Sequence, residues 1–163
     1  MEKIISSIKK RNEIVLRQAK DRTANLIMPF RAMGRLNELS EELCSIYGTL
    51  RPVVENCGVF VMAGDHGVVE EGVSLFPQVV TCEMIKAFLN GYATISVLSK
   101  QENCKIIVSN IGAKCTFDKI ECSFGDYVSK NVVMGTKNFT KEPAMTRQEA
   151  IKSVKTGFEI ADE

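Results

Sequence analysis

One short apolar segment and the loop after it constrain the fold more than any other part of this sequence. The run Gly58–Ala63 (GVFVMA) is rich in strand-forming residues and too brief for an independent helix, so it predicts a buried strand. Gly64-Asp65-His66-Gly67 follows at once. In a parallel α/β sheet, ligands bind in the loops after the carboxyl ends of the strands. This loop, which holds the chain's only histidine, is therefore the first candidate site.

The residues after this loop predict a strand–helix–strand unit. Pro77 suits the first turn of a helix, a second helix is predicted at Ala93–Lys100, and Lys105–Asn110 is a second strand-forming run. Such a unit forms a right-handed crossover between parallel strands. We therefore expect an α/β fold with a mostly parallel sheet and flanking helices.

The loop after the second strand is expected to lie beside the first, because parallel neighbours end at the same edge of a sheet. This places Asn110 and Gly112 near Asp65 and His66. Asn110 could contact a ring or a ribose of a ligand, or its amide could cap the turn at Gly112.

Weaker patterns predict the remaining elements. Helices are expected at residues 3–22 and 33–47, the second with Leu36, Leu39, Leu43 and Ile46 inward. Residues 127–133 could form a third strand at an edge. Thr146 and Glu149 match a capping box that begins a terminal helix, with Ala150, Val154, Phe158 and Ala161 on one face.

Length and hydrophobic content predict one domain. The chain has 163 residues, and 45% of them are hydrophobic, which is enough for a sizeable core. We expect a single α/β domain over residues 1–163, with a helical segment at 1–48 and the sheet-containing core at 57–163.

Charge and hydropathy argue against two classes of partner. The formal net charge is +1 and neither sign forms a long block, so no nucleic-acid partner is predicted. No apolar segment approaches the roughly 20 residues that span a bilayer. Residues 1–5 lack the apolar block of a secretion signal, so a cytoplasmic protein without a membrane partner is expected.

The cysteines and glycines give no metal or cofactor signature. The cysteines lack CxxC spacing and several lie in apolar runs, so reduced core thiols are expected and a zinc site is not. They are Cys44, Cys57, Cys82, Cys104, Cys115 and Cys122. The glycines near the first strand form neither GxGxxG nor a P-loop, so no nucleotide fingerprint and no cofactor is predicted.

Asp65 and His66 permit two roles. A carboxylate and an imidazole could act as an acid/base pair or as metal ligands. Alternatively, Asp65 accepts backbone amides and orders the loop while His66 fills the crevice at the sheet edge.

Phe76 and Met84 also permit two roles. They lie just before and inside the predicted helix, where an aromatic ring and a thioether could form an apolar slot for a flat heterocycle. Apolar residues at helical spacing are equally typical of a core.

Several segments occur in an order that resembles one enzyme family. They are Met33–Leu39, Gly48–Pro52, Ala63–Val68, Glu71–Ser74, Phe76–Thr81 and Glu142–Thr146. Together they resemble nicotinate-nucleotide:dimethylbenzimidazole phosphoribosyltransferase, the enzyme that activates the lower ligand of cobalamin. One departure is Met28–Gly34, where the family usually has Pro-Pro-Gly-Ser-Leu-Gly.

The resemblance implies a function and a set of binding residues. It implies a doubly wound, Rossmann-like α/β fold that is incomplete in this chain relative to the family. It also implies a homodimer that transfers phosphoribose from nicotinate mononucleotide to a base such as 5,6-dimethylbenzimidazole, giving α-ribazole phosphate in cobalamin biosynthesis. Ser74–Met84 would form the wall of the base pocket, with Phe76 and Met84 facing the ring. Substrate binding is thus expected at Asp65, His66, Gly67, Ser74, Phe76, Met84, Asn110 and Gly112.

The resemblance assigns no catalytic residue to this chain. The family's glycine-rich phosphate loop and its general-base glutamate correspond to positions beyond Glu163. The chain is therefore expected to be the amino-terminal part of such an enzyme and inactive alone.

Two other hypotheses stay open. The chain could be a non-catalytic module that binds aromatic bases or assembles with a partner, including one half of a split enzyme. It could also be a small metal-dependent hydrolase that uses Asp65 and His66.

Overall fold

The computed structural model of the protein describes residues 2–117 and 119–162, and the side chains from Ile4 onward within those ranges. The elements in chain order are α1 (Glu2–Ser7), α2 (Glu13–Ala24), α3 (Arg35–Tyr47), β1 (Gly58–Gly64), a 3₁₀ helix (Gly67–Glu71), α4 (Val79–Leu89), α5 (Thr94–Gln101), β2 (Lys105–Gly112), β3 (Asp126–Ser129) and α6 (Arg147–Asp162). The chain divides into two compact units, Met1–Glu55 and Asn56–Glu163. The single domain predicted from the sequence stays a prediction.

The first unit contains two helices where the sequence predicted one over residues 3–22. The chain leaves the helix after Ser7 and re-enters it at Glu13, because Asn12 caps the second helix. The Asn12 side chain accepts hydrogen bonds from the amides of Ile14 and Val15, at 3.1 and 3.2 Å. An asparagine that binds the first free amides of a helix favours a boundary over a continuous helix.

α3 lies where the sequence predicted it and ends at Gly48, which has φ of 67°. The prediction of its inward face was wrong. Leu36, Leu39 and Ile46 are exposed, while the buried residues are Asn37, Glu41, Cys44 and Ser45. The reason is the position of α2, whose Val15 and Ala19 form a small core with Cys44.

A three-stranded parallel sheet in the order β1-β2-β3 organises the second unit. Gly58 pairs with Lys105 and Ala63 with Asn110, so the carboxyl ends of β1 and β2 lie at the same edge, as predicted. β3 pairs with β2 from Asp126 to Ser129 and is shorter than the predicted strand at 127–133. The α/β fold with a parallel sheet and flanking helices is confirmed.

The main core lies on one face of this sheet. Ile85 and Leu89 of α4 pack there with Ile106 and Val108 of β2, and all four are fully buried. The other face of β1 is different, since Phe60 is 45% exposed and Met62 is 49% exposed. β1 is therefore half-buried on one face and exposed on the other, which corrects the prediction of a buried strand.

The capping box that begins α6 is confirmed, but the predicted inward face of α6 is not. The Thr146 amide donates to a Glu149 carboxylate oxygen at 2.6 Å, and the Glu149 amide donates to the Thr146 hydroxyl at 3.2 Å. Thr156 and Ile160 are the buried residues of this helix, whereas Val154 is 48% exposed.

Candidate functional site

Asp65 connects three segments at the carboxyl end of β1. It is 4% exposed, and its carboxylate accepts hydrogen bonds from the Thr81 hydroxyl on α4, at 2.6 Å, and from the Lys114 amide after β2, at 2.7 Å. Its backbone carbonyl accepts from the Thr136 amide at 2.9 Å. A buried carboxylate with such partners orders the loops around it. These hydrogen bonds favour the role in which Asp65 orders the loop over the role in which its carboxylate acts as a free acid or base.

Gly67 occupies a position that has no room for a side chain. A Cβ atom there would lie 2.5 Å from the Asn138 amide nitrogen, 2.6 Å from the Lys137 carbonyl carbon and 2.7 Å from the Thr136 carbonyl oxygen. The loop at 136–138 therefore packs directly on the backbone of the Asp65–Gly67 segment. Gly67 serves this close approach and does not border either of the cavities described below.

The contacts that hold this loop had no counterpart in the sequence patterns. The Asn138 side-chain amide donates to Glu71 at 2.6 Å, and the Lys141 ammonium lies 3.1 Å from Glu70 and 3.3 Å from Glu71. The Asn138 amide, followed by the Lys141 ammonium, holds the pKa of the Glu71 carboxyl below its ordinary value. These residues fix the 3₁₀ helix beside the candidate site.

A cavity of about 540 Å³ opens between the end of β1 and α4. Asp65, His66, Ser74, Phe76 and Met84 all border it, so the structure brings five of the predicted site residues together. Phe76 is 67% exposed and Met84 is 39% exposed, so neither is a core residue. Their exposure therefore favours the apolar slot for a flat heterocycle over a place in the hydrophobic core.

The rest of the cavity wall is apolar, with a polar rim. Val61, Val69, Val80, Ile85 and Phe88 supply apolar surface. On the rim, the Ser74 hydroxyl both donates to the Phe76 carbonyl, at 3.1 Å, and accepts from the Phe76 amide, at 3.2 Å. The side-chain amide of Gln78 donates to the backbone carbonyl of His66 at 3.0 Å. These bonds order the turn that presents Phe76 to the cavity.

A second cavity, of about 340 Å³, adjoins the first because Met62–His66 borders both. Gly112 lies in its wall together with Val133 and Thr136. A Cβ atom on Gly112 would lie 2.9 Å from the Val133 carbonyl oxygen, so the close approach of these loops requires glycine here.

Asn110 is placed apart from both cavities. It is fully buried, its side-chain oxygen accepts from the Ala113 amide at 2.7 Å, and its side-chain amide donates to the Cys115 carbonyl at 3.2 Å. This is the turn-capping alternative predicted from the sequence. Asn110 therefore supports the loop that carries Lys114 to Asp65.

The Cys115 thiol, in the segment after β2, is unsuited to nucleophilic chemistry. Burial, together with a hydrogen bond to Cys82, raises the pKa of Cys115 to about 12. A thiol of this kind carries little thiolate at neutral pH. Of the cysteines as a group, only Cys44 is buried, and Cys57 and Cys122 are exposed, so the expectation of several core thiols was too broad.

Within residues 2–117 and 119–162, no group of three or more histidine, cysteine, aspartate or glutamate side chains could hold a metal ion. In the same ranges, every helix is too short or too polar to cross a membrane.

Comparison with known proteins identifies relatives of the whole chain. A family model described as Phosphoribosyltransferase matches residues 8–163. A nicotinate-nucleotide–dimethylbenzimidazole phosphoribosyltransferase of Syntrophotalea carbinolica is 42% identical over 158 residues, covering 97% of this chain and 44% of the relative. The enzyme of the same name from Ruminiclostridium cellulolyticum is 40% identical and covers 98% of this chain and 44% of the relative.

A solved structure leads to the same group. The match to the crystal structure of CobT from Thermus thermophilus has a TM-score of 0.80 and 35% sequence identity. It covers 91% of this chain and 44% of the CobT chain. The chain thus spans less than half the length of these relatives. Since nearly all of it matches them in sequence and in fold, the chain belongs to the family of nicotinate-nucleotide–dimethylbenzimidazole phosphoribosyltransferases.

Proposed function

We propose that the chain forms the base-binding part of an enzyme that transfers phosphoribose from nicotinate mononucleotide to 5,6-dimethylbenzimidazole or a similar lower-ligand base. The observation that carries this proposal is the apolar cavity of about 540 Å³ beside Phe76 and Met84. Its volume lies in the range of about 300–1,000 Å³ that is usual for small-molecule sites. An aromatic ring and a thioether on its wall suit a flat heterocycle.

The proposal gives separate roles to the site residues. The first cavity is assigned to the base, and its wall includes Phe76, Met84 and Ser74. Gly112 belongs to the second cavity, which we assign to the nucleotide because it adjoins the first across Asp65 and His66. Gly67 keeps the loop at 136–138 close to both. Asn110 acts through the loop that it caps.

The chain's own residues position the base rather than carry out the transfer. Asp65 is occupied by Thr81 and Lys114, so its carboxylate is not free to take a proton from a ring nitrogen. We therefore propose no catalytic residue within residues 1–163. Deprotonation of the base and binding of the phosphate are proposed for residues outside this chain, as the family resemblance implies.

Two measurements on the isolated chain test this assignment. Isothermal titration with 5,6-dimethylbenzimidazole should show binding to a single site. A turnover assay with nicotinate mononucleotide and the base should show no α-ribazole phosphate. Absence of binding would overturn the proposed base site, whereas turnover would show that the chain holds a catalytic carboxylate.

A second candidate function is that of an assembly module, and the outer face of β1 favours it. Phe60 and Met62 are exposed there, on a strand that pairs only with β2 among the described residues. A strand with an open edge and an apolar face is suited to association. The occupant is proposed to be a second copy of the chain, as in a homodimer, or a partner chain that supplies the remaining part of the enzyme.

The oligomeric state distinguishes this candidate from a free monomer. Gel filtration with light scattering should give a dimer, or a complex with a chain that carries the phosphate loop. A well-behaved monomer at high concentration would contradict it.

A cytoplasmic location also belongs to the proposal, because both substrates of the relatives' reaction are small molecules of cofactor biosynthesis.

A further inference from the structure

The neighbouring strands β1 and β2 are preceded by the same three residues. Glu55-Asn56-Cys57 comes before β1 and Glu102-Asn103-Cys104 comes before β2. In both copies the asparagine has positive φ, 55° at Asn56 and 51° at Asn103, which asparagine tolerates better than most residues. The backbone therefore enters both strands through a left-handed asparagine followed by a cysteine.

The strand register places the two cysteines side by side. Gly58 pairs with Lys105, and the Lys105 amide donates to the Cys57 carbonyl at 3.0 Å. Neighbouring strands lie about 4.8 Å apart, a spacing within the Cα separation of about 4.4–6.8 Å that a disulfide requires. The Cys57 thiol is close enough to Cys104 to raise the pKa of Cys104, after the larger effect of burial.

Both cysteines are expected on the same face of the sheet. Side chains alternate along a strand, so Cys57 shares a face with Val59, and Cys104 shares a face with Ile106. Val59 and Ile106 belong to one core cluster. The thiols therefore need no rearrangement of the strands to meet.

The two thiols differ in how easily a reagent reaches them. Cys57 is exposed and Cys104 is half-buried. Burial, followed by the neighbouring Cys57, raises the pKa of Cys104 above its ordinary value. Cys57 is thus the thiol that meets a reagent first, and Cys104 is the one beside it that can complete a reaction.

We propose that Cys57 and Cys104 form a reactive dithiol at the amino-terminal edge of the sheet, which small-molecule disulfides oxidise reversibly to an intramolecular disulfide. The Cys57 thiolate attacks a sulfur of RSSR, which forms a mixed disulfide and releases RS⁻. The Cys104 thiolate then attacks the Cys57 sulfur and displaces the second RS⁻. Both RS⁻ groups take up the protons lost by the cysteines, so two electrons and two protons pass to RSSR, giving two RSH.

This site is independent of the proposed base-binding function. It lies where β1 and β2 begin, whereas both cavities lie where these strands end. The pair formed by Cys82 and Cys115 is a weaker candidate, because neither thiol is exposed and the Cys115 pKa of about 12 disfavours its thiolate. Loss of base binding would leave the dithiol proposal standing, and the reverse also holds.

The test is a disulfide map of the oxidised chain. The folded chain is treated with oxidised glutathione, its remaining thiols are alkylated with N-ethylmaleimide, and its peptides are identified by mass spectrometry without reduction. We expect a Cys57–Cys104 cross-link as the main disulfide, removed by dithiothreitol. A cross-link between other cysteines, a glutathione adduct alone, or full alkylation of both thiols would overturn the proposal.

Two variants test the order of the steps. In Cys104→Ser the second step cannot occur, so Cys57 should accumulate the glutathione adduct. Cys122→Ser removes another exposed thiol and should form the cross-link as the unaltered chain does. If Cys104→Ser gains no adduct while its circular dichroism is unchanged, Cys57 is not the thiol that reacts first and the proposal fails.

Discussion

The carboxylate of Asp65 and the hydroxyl of Thr81 are joined by a 2.6 Å hydrogen bond that fixes the start of α4 to the end of β1. The other carboxylate oxygen accepts from the Lys114 amide at 2.7 Å, so one buried side chain sets the positions of both loops at the sheet edge. The cavity beside Phe76 lies between the same two elements. Its shape therefore depends on this pair of hydrogen bonds.

Asp65→Ala should destabilise the chain by about 1–3 kcal/mol, because it leaves the Lys114 amide and the Thr81 hydroxyl without their acceptor. Asp65→Asn should cost less, since its oxygen can still accept from Lys114 and its amide can donate to the Thr81 oxygen. Urea unfolding measures both. The control is Asp126→Ala, whose ion pair with Lys105 is exposed and should contribute less than about 1 kcal/mol. Equal losses for the alanine and asparagine variants at position 65 would contradict this account.

Gly67→Ala should lower the free energy of unfolding by about 1–3 kcal/mol, because its methyl group would meet the backbone of the loop at 136–138. Backbone atoms cannot rotate aside as a flexible side chain can. The matched control is Gly157→Ala in α6, where a Cβ would meet nothing within 4 Å. This control should be stabilising by about 0.5–1 kcal/mol, since alanine favours a helix interior. Thermal unfolding of both variants tests the difference in sign.

The sheet edge was predictable from the sequence because its signals are local. Each strand-forming run, the glycine-rich break and the proline at a helix start is recognised from a few consecutive residues, and the rule for parallel crossovers supplies the rest. The loop at 136–138 was not predictable in this way. Its contact with Gly67 joins residues 69 apart in the sequence, and no local pattern indicates such a partner.

The errors in helix orientation have a different origin. The leucines of α3 are spaced as a core stripe would be, but the neighbouring helix α2 packs on the side that carries Cys44 and Ser45. Periodicity indicates that a helix has an apolar side, whereas the partner decides which side is covered. The fully buried Asn110 illustrates the same limit, since only the fold shows whether its amide caps a loop or faces a ligand.

The contacts of Glu71 predict a loss of stability in acid. Asn138 and Lys141 hold its folded pKa below the ordinary value of 4.5, so the unfolded state takes up the proton first as the pH falls. The stability that Glu71 contributes is therefore present above about pH 4.5 and is lost as the pH falls through the folded pKa. Glu71→Gln should lower the urea midpoint at pH 7 and flatten its decline between pH 5 and pH 3.

The cause of this pH dependence can be divided between the two partners. The Asn138 hydrogen bond is the larger cause at Glu71, whereas Lys141 is also the first cause of the lowered pKa of Glu70. Asn138→Ala and Lys141→Met should therefore each flatten the decline of the urea midpoint in acid. Both variants are compared with Glu71→Gln in the same urea series. If Asn138→Ala leaves the decline of the urea midpoint between pH 5 and pH 3 unchanged, the loop at 136–138 does not hold the Glu71 carboxylate.

Phe76→Ser should weaken the binding of 5,6-dimethylbenzimidazole about tenfold, which corresponds to about 1.4 kcal/mol. The ring of Phe76 borders the cavity yet is 67% exposed, so its removal takes apolar surface from the ligand without opening a hole in the core. The adjacent Leu75 is 98% exposed and does not border the cavity, so Leu75→Ser is a matched control for the change in surface polarity. Isothermal titration of the three chains compares their dissociation constants.

The comparison of these neighbours separates recognition from general surface effects. A base held by the cavity should distinguish Phe76 from Leu75, since only the first can stack on its ring. A ligand attracted to apolar surface in general should lose affinity equally in both variants. Equal losses, or no loss at Phe76, would therefore remove the base from this cavity, and the base site would then have to lie in the part of the longer relatives that this chain does not span.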